Sequence, residues 1–109
     1  MDVDNPWYGG LMRRNDVLSA LKQAEPALRA RGVAALYIFG SHARDEARPD
    51  SDVDVFIDKD KSRKFGFDES MDVYFLLQER LGAGVDYGTR EGLHPVLRPA
   101  IERDAVRVF

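Results

Sequence analysis

The residues best suited by type and spacing to perform chemistry are a Gly-Ser pair and two aspartates. Ten residues separate Ser41 from Asp52, and Asp54 follows two positions later. On a β-strand, residues i and i+2 leave the same face, so Asp52 and Asp54 should lie side by side. Two carboxylates ~5 Å apart repel by about 3 kcal/mol at an effective dielectric of ~20, so such a pair either protonates in part or binds a divalent cation. Ligands with only oxygen atoms suit Mg²⁺ or Mn²⁺ rather than zinc.

The Gly-Ser pair has the properties of a phosphate-binding turn. Gly40 directly follows an apolar run, where a glycine lets the backbone approach a ligand closely. The amides of Gly40 and Ser41 can point at a phosphate, and a short helical turn starting near Ser41 would add its positive N-terminal end. Arg44 and Arg48 supply positive charges in the segment between Ser41 and Asp52. The sequence therefore predicts a triphosphate site beside a metal site, although it contains no Walker A motif.

Two other interpretations of the acidic stretch compete with this one. The aspartates at positions 50, 52 and 54 could be exposed turn residues that only improve solubility. A calcium loop would also begin with Asp50, but Val55 stands at its sixth position, where glycine is needed. Lys61 stands at its twelfth position, where a bidentate glutamate belongs, so the calcium loop is excluded.

Hydrophobic spacing and turn residues predict an α/β fold, with a small mixed β-sheet of about four strands flanked by helices. A continuous apolar run predicts a strand buried on both faces, and alternation of charged and apolar residues predicts the next strand. The predicted elements are a helix over 15–31 that restarts at Pro26, a strand over 33–39, a short helix near 41, a strand over 53–57, a helix capped by Asp68 or Ser70 and closed by Gly82, a strand over 84–87, a helix over 93–101 and an edge strand over 106–109.

The composition is that of an ordinary globular chain. The 109 residues favour an N-terminal arm over 1–13 and one domain over 14–109. A net charge of −3 gives no general attraction to nucleic acid or anionic lipid. The chain has no cysteine, which excludes disulfides and thiolate metal sites. Its acidic N-terminus and the absence of an apolar stretch of ~18 residues predict neither a signal peptide nor a membrane anchor, and hence a cytoplasmic protein.

The stretch Phe-Gly-Ser-x-Ala-Arg-x-x-Ala-Arg-Pro-Asp-Ser-Asp-x-Asp, with Leu-Gly-x-x-Val-Asp downstream, resembles the minimal nucleotidyltransferases of the DNA polymerase β-like superfamily. The resemblance runs from about Leu18 to Phe109. It implies that Asp52, Asp54 and Asp86 are catalytic residues that bind Mg²⁺, and that Gly40, Ser41 and Arg44 bind the nucleotide. A strand–helix–strand unit over 53–87 can independently set Asp86 beside Asp54 in the sheet. The implied reaction is in-line attack of a hydroxyl on the α-phosphorus of ATP, with release of pyrophosphate.

Small domains of this kind resemble the antitoxin halves of toxin–antitoxin pairs. The resemblance implies a HEPN-type ribonuclease toxin as partner, a complex with that second chain, and transfer of AMP onto the toxin, typically onto a tyrosine. A non-catalytic module that masks a toxin by binding is the alternative. Transfer to RNA is disfavoured by the acidic charge and the lack of a basic stripe, so no direct nucleic-acid binding is expected. Transfer to a small molecule is disfavoured because the chain is too short for an enclosed pocket.

A few residues stand out against this pattern. Many relatives carry arginine at the position of His42 and glycine at that of Asp45. We interpret His42 as a solvated loop histidine, and we expect the charge of Asp45 to weaken ATP binding. Candidates for a partner interface are Trp7, Tyr8 and the aromatic pair of Phe65 and Phe67, although core packing is the default prediction for Phe67.

Overall fold

The computed structural model describes residues 13–109. Trp7, Tyr8 and almost all of the predicted arm therefore lie outside the described residues. The helices are α1 (Arg14–Gln23), α2 (Glu25–Ala30), α3 (Gly40–Ala43), α4 (Phe67–Leu81) and α5 (Arg98–Asp104), with a single 3₁₀ turn at Arg90–Gly92. The strands are β1 (Val33–Phe39), β2 (Val53–Lys59), β3 (Val85–Thr89) and β4 (Val106–Arg107). Helix 15–31 is interrupted as predicted, since Pro26 lies in the first turn of α2, where its missing N–H costs no hydrogen bond.

The four strands form one mixed sheet in the order β3-β2-β1-β4. β1 pairs antiparallel with both β2 and β4, and β2 pairs parallel with β3. A parallel pair needs a crossover connection, and α4 supplies it. The predicted fold class is thereby confirmed.

One face of the sheet packs against α1, α2 and α4 to form the core. Leu36, Ile38 and the valines of β2 point to this face, which is why they are buried. A bulge between Val33 and Ala35 shifts the alternation of β1 by one position, so that Val33 also joins the core. The core members are Val17, Leu21, Ala24, Leu28, Val33, Leu36, Ile38, Ala43, Val53, Val55, Ile57, Val73, Leu76, Leu77, Leu81, Val85 and Phe109.

The other face of the sheet carries aromatic and charged residues. Phe56 is fully buried there, and its ring stacks on that of Tyr37 at 4.8 Å between centroids. The guanidinium of Arg90 lies 4.9 Å from the ring of Tyr37 and 5.0 Å from that of Phe56. Arg90 also contacts Glu102 on α5, so this helix is tied to the face that lacks the large helical layer.

For the last helix, the predicted bounds of 93–101 are wrong at both ends. The chain forms a turn after His94, and α5 begins only at Arg98. The two prolines explain the difference, because a proline in a helix interior removes a hydrogen bond and clashes with the preceding turn. In the observed helix Pro99 occupies the first turn, where proline is tolerated.

The other boundary differences are smaller. Gly66, not Asp68 or Ser70, is the N-cap of α4, and Asp68 lies inside the first turn near the positive helix end. Gly82 closes α4 in the left-handed conformation with φ of 61°, as predicted. β2 runs two residues further than expected, to Lys59, and β4 is shorter, ending at Arg107. In the part of the chain that the structure describes, no helix has both the length and the apolar character needed to cross a membrane.

Candidate functional site

The strand register sets the candidate residues in a row across the sheet. Phe39, the residue before Gly40, pairs with Asp54 on the antiparallel side of β2. Asp54 pairs with Asp86 on the parallel side. Aligned residues of neighbouring strands project to the same face, so the carboxylates of Asp54 and Asp86 lie together on the face opposite the core. The predicted placement of Asp86 beside Asp54 is confirmed, whereas its role as a metal ligand stays a prediction.

Asp54 is the most electrostatically crowded carboxylate of this row. Burial, followed by repulsion from Asp86 and Asp52, raises its pKa from 3.8 to about 6, against the opposing pull of Arg44. The crowding inferred from the sequence is therefore present in the fold. Carboxylates whose negative charges destabilise one another are a suitable donor set for a hard divalent cation.

Two glycines make room for the carboxylates. A Cβ atom on Gly40 would collide with Oδ2 of Asp54, and a Cβ atom on Gly84 would collide with Oδ1 of Asp52. Gly40 also has φ of 71°, a conformation that disfavours any residue with a side chain. Gly84 is a residue of the candidate site that sequence reasoning missed. It occupies the second variable position of the Leu-Gly-x-x-Val-Asp motif, and a signal for it lies in its place directly before a strand, since a glycine there often marks a close backbone approach.

The three aspartates do not already surround a common point. Among residues 13–109, no group of three or more His, Cys, Asp or Glu side chains is arranged to hold a metal ion. Asp54 lies against Gly40, whereas Asp52 lies against Gly84 on the other side of β2. Asp52 precedes the first residue of β2, so its position is set by the loop as well as by the sheet. A shared cation would need the carboxylate of Asp52 to turn toward the other two.

The predicted nucleotide-binding residues lie at the start of α3. Gly40 and Ser41 open this helix, which is four residues long and confirms the short helical turn expected from the sequence. Arg44 caps its C-terminal end and lines a cavity of about 150 Å³ beside Gly40, together with Phe39, Ala100, Ile101 and Asp104. Arg48 lies in an exposed turn closed by Ser51 and does not line this cavity.

The interpretation of His42 as a solvated loop histidine is wrong. Its side chain is 3% exposed, and its Nδ1 lies 3.1 Å from the backbone oxygen of Asp52. Burial lowers the pKa of His42 below its usual value, against the opposing effects of the Asp52 backbone and the charges of Asp45 and Asp52. Its burial results from α3 folding back onto the start of β2, a contact that no local sequence pattern reveals.

The expected effect of Asp45 on ATP binding stays a prediction, but the structure gives this side chain a partner. Its Oδ1 accepts a hydrogen bond of 3.0 Å from the backbone N–H of Arg14, at the N-terminus of α1. The positive end of that helix partly offsets its charge. Asp45 has φ of 58°, in the region where glycine is favoured and aspartate is tolerated.

The predicted burial of Phe67 also needs correction. It is 78% exposed at the first position of α4, so the prediction of core packing is wrong. Phe65, two residues earlier in the sequence, packs against the core instead.

Comparison with known proteins agrees with the architecture. Residues 17–108 match the model of the nucleotidyltransferase domain family. One protein of Methanocaldococcus jannaschii, named as a candidate protein adenylyltransferase, is 32% identical over 70% of this chain and 77% of its own length. A second protein of that organism with the same description is 36% identical over 77% of this chain and 88% of its own length.

Solved structures share the fold. One described as a candidate minimal nucleotidyltransferase superposes with a TM-score of 0.64 at 31% identity, over 82% of this chain and 93% of that one. A toxin–antitoxin complex with AMP-PNP contains a chain with the same TM-score of 0.64 at 16% identity, over 81% of this chain and 72% of that one. At that identity the second likeness concerns the fold alone.

Proposed function

The chain belongs to the nucleotidyltransferase domain family, among its minimal nucleotidyltransferases, and on that premise we propose that it transfers AMP from ATP to a tyrosine hydroxyl of a HEPN-type ribonuclease toxin. By doing so it acts as the antitoxin of that toxin. We assign the activity to residues 14–109. The observation that carries the proposal is the row of Phe39, Asp54 and Asp86 across three strands, because Gly40 directly follows Phe39 and a phosphate-binding turn thus lies directly beside paired carboxylates.

Each residue of the proposed site has a role that follows from its position. The backbone amides of Gly40 and Ser41 bind the β- and γ-phosphates, and the hydroxyl of Ser41 donates one further hydrogen bond. Arg44, which lies close enough to Asp54 to lower its pKa, neutralises part of the phosphate charge. Asp86 lies at the open edge of the row and accepts the proton of the attacking hydroxyl.

The donor set fits a magnesium ion, since it consists of carboxylate oxygens, and Asp52, Asp54 and Asp86 would hold it. The ion would supply positive charge to the phosphates and lower the pKa of the acceptor hydroxyl. The three aspartates in turn orient the α-phosphorus against the acceptor. Burial of Asp54 and repulsion from its two neighbours, which together raise its pKa, favour cation binding at this place.

The protein acceptor is supported by the relatives and by the shape of the site. Both proteins of M. jannaschii are named as candidate protein adenylyltransferases. The toxin–antitoxin complex with AMP-PNP supports a toxin as partner and a nucleotide as substrate, at the level of a shared fold. The cavity beside Gly40 holds only about 150 Å³, less than the ~300 Å³ typical of pockets for small molecules, so the second wall of the site would come from the partner.

The direct test is to incubate the chain with Mg²⁺, α-labelled ATP and a HEPN-type protein encoded beside it. We expect label on the partner, loss of at least about 100-fold of the rate in Asp52→Asn/Asp54→Asn, and no loss in Asp50→Asn, an exposed neighbour in the same loop. Absence of label with the wild-type chain, or equal labelling by the double variant, contradicts the proposal.

The non-catalytic alternative has one observation in its favour, namely that the three aspartates do not yet converge on one point in the described part of the chain. The same double variant separates the two functions. If it protects cells from the toxin as well as the wild-type chain does, the chain neutralises by binding. If protection is lost while the complex still forms, the transfer reaction is required.

A further inference from the structure

His42 is the one buried polar or charged side chain among residues 13–109. A buried imidazole without a partner would be costly, so its hydrogen bond determines where it can lie. The partner is the backbone carbonyl of Asp52, 3.1 Å from Nδ1. A carbonyl oxygen can only accept, so Nδ1 carries the proton and donates it.

This hydrogen bond holds one side of the peptide group between Asp52 and Val53. The N–H on the other side of the same peptide donates to the carbonyl oxygen of Gly84 at 2.9 Å. The peptide is therefore fixed from α3 through its oxygen and from the loop before β3 through its nitrogen. Its orientation determines where the side chain of Asp52 leaves the backbone.

Strand pairing does not replace this contact. The β1–β2 ladder ends at the pair of Phe39 and Asp54, and the β2–β3 ladder begins at Val53. Asp52 lies two residues before the β1–β2 ladder and one residue before the β2–β3 ladder. Between α3 and Asp52 the chain makes a loop whose residues 44–46 and 48–50 are exposed, so this segment contributes little to the position of Asp52.

His42 also follows Ser41 directly, so it belongs to the phosphate-binding turn. The far end of that turn is anchored separately, by the hydrogen bond between Asp45 and the start of α1. We propose that His42 is a positioning residue, which fixes the Asp52 peptide and thereby couples the phosphate-binding turn to the carboxylates. This inference rests on the proposed function, although its structural part can be tested without activity.

Two substitutions separate the hydrogen bond from the volume of the side chain. His42→Asn places an amide N–H near the position of Nδ1, whereas His42→Leu fills the site without a donor. We expect His42→Leu to lower kcat and the affinity for Mn²⁺ by about 10- to 100-fold, the usual effect of losing an outer partner of a ligand. At saturating metal the KM for ATP should change by less than about 3-fold, because the amides that bind the phosphates belong to Gly40 and Ser41 rather than to His42. His42→Asn should restore most of kcat and of the Mn²⁺ affinity.

The second measurement is amide hydrogen exchange in the metal-free protein. We expect the amide of Val53 to exchange faster in His42→Leu than in the wild type and in His42→Asn, with the amides of β1 unchanged. Wild-type kcat, Mn²⁺ affinity and Val53 exchange in His42→Leu would overturn the proposal. If His42→Leu does not fold, His42→Asn alone decides the question. A folded His42→Asn chain with wild-type kcat and Mn²⁺ affinity supports the proposal, whereas a folded His42→Asn chain in which both are lowered contradicts it.

The proposed function and this inference fail separately. If the wild-type chain transfers no nucleotide, the proposed function fails, and Mn²⁺ binding and Val53 exchange still decide the role of His42. If the wild-type chain is active and the two variants behave alike, only the role of His42 is refuted.

Discussion

At the scale of single residues, the candidate site combines a crowded carboxylate with a turn that glycine adopts without strain. Asp54 is a partly buried carboxylate beside two others, and Gly40 has a backbone conformation with positive φ. The crowding of Asp54 costs stability in the free chain, whereas the positive φ of Gly40 does not. The residue scale therefore gives predictions in which stability and activity respond separately to a substitution.

Asp54→Asn should stabilise the metal-free protein at neutral pH. The pKa of Asp54 is raised to about 6 in the folded chain, so its contribution is complete below the unfolded pKa of about 4 and is lost as the pH rises through 6. Because the carboxylate is partly solvated, we expect a gain of about 1 kcal/mol in the free energy of unfolding at pH 7.5 in EDTA, and almost none at pH 4. Urea unfolding measures this, with Asp50→Asn as the control. A less stable Asp54→Asn chain at pH 7.5 would contradict the raised pKa.

Gly84→Ala should impair transfer without unfolding the chain. The added Cβ would collide with Oδ1 of Asp52, and that carboxylate must then turn away. We expect the rate of nucleotide transfer to fall at least about 10-fold, with a change below about 1 kcal/mol in the free energy of unfolding. Gly88→Ala is the matched control on β3, since a Cβ there meets nothing within 4 Å. Equal rates for both variants would show that the position of Asp52 is unimportant.

At the scale of elements, β2 is the strand on which the site depends. It lies between β1 and β3, so one strand aligns the turn at Gly40 on one side with Asp86 on the other. Its valines are buried in the core, which prevents the strand from slipping, because a shift of one residue would expose them. The core face thereby determines the geometry of the polar face.

α5 is attached to this sheet chiefly through Arg90. Its guanidinium binds Asp58 through two nitrogens at 2.7 and 2.9 Å, binds Glu102 at 2.6 Å, and lies over two aromatic rings. Arg90 thus links β2, the 3₁₀ turn and α5. It also holds the pKa of Asp58 below its usual value, so this stabilisation is present at neutral pH and is lost as the pH falls below about 4.

Arg90→Met should loosen α5. Methionine keeps an apolar stem against Tyr37 and Phe56 but removes the ion pairs, and we expect a loss of about 2 kcal/mol at pH 7. Faster hydrogen exchange in α5 than in β1 would locate the effect. Arg98→Met is the control, because Arg98 contacts the same Glu102 only at 3.4 Å and is more exposed. An equal loss in both variants would argue against the bidentate pair as the cause.

At the scale of the whole molecule, the active face and the helical face are separate. The carboxylates lie on the side opposite α1, α2 and α4, while the exposed Phe67 and Phe75 belong to α4. With a net charge of −3, the protein has no overall attraction for ATP, so nucleotide binding depends on the local arrangement at α3 and on a cation.

ATP with Mg²⁺ should therefore stabilise the folded chain, and ATP in EDTA should not. At about 100 times the Kd the gain is about 2.7 kcal/mol, which for a domain of this size raises Tm by about 10 °C. Asp86→Asn should abolish most of the shift. Thermal unfolding followed by circular dichroism measures it, and an equal shift with and without Mg²⁺ would contradict the proposed cation site.

Much of the fold could be predicted because its signals are local. The buried run of β1, the restart at Pro26 and the left-handed cap at Gly82 each depend on a few neighbouring residues. The last helix was misplaced because two prolines competed for the first turn, and only packing decides which of them starts the helix. Burial of His42 and exposure of Phe67 were missed because both depend on which distant segments cover them.

The amino-acid sequence alone predicted the members of the candidate site, namely a Gly-Ser turn, paired aspartates and a third aspartate after the next helix. Residue types and spacing suffice for this, because the periodicity of a strand and the freedom of glycine are properties of the local backbone. The tertiary structure alone decided how these residues are held. Three contacts join segments that lie 10 to 32 residues apart in the sequence. They are the close approach of Asp52 to Gly84, the hydrogen bond of His42 to Asp52, and the hydrogen bond of Asp45 at the start of α1. Burial and repulsion arise only when such segments pack together.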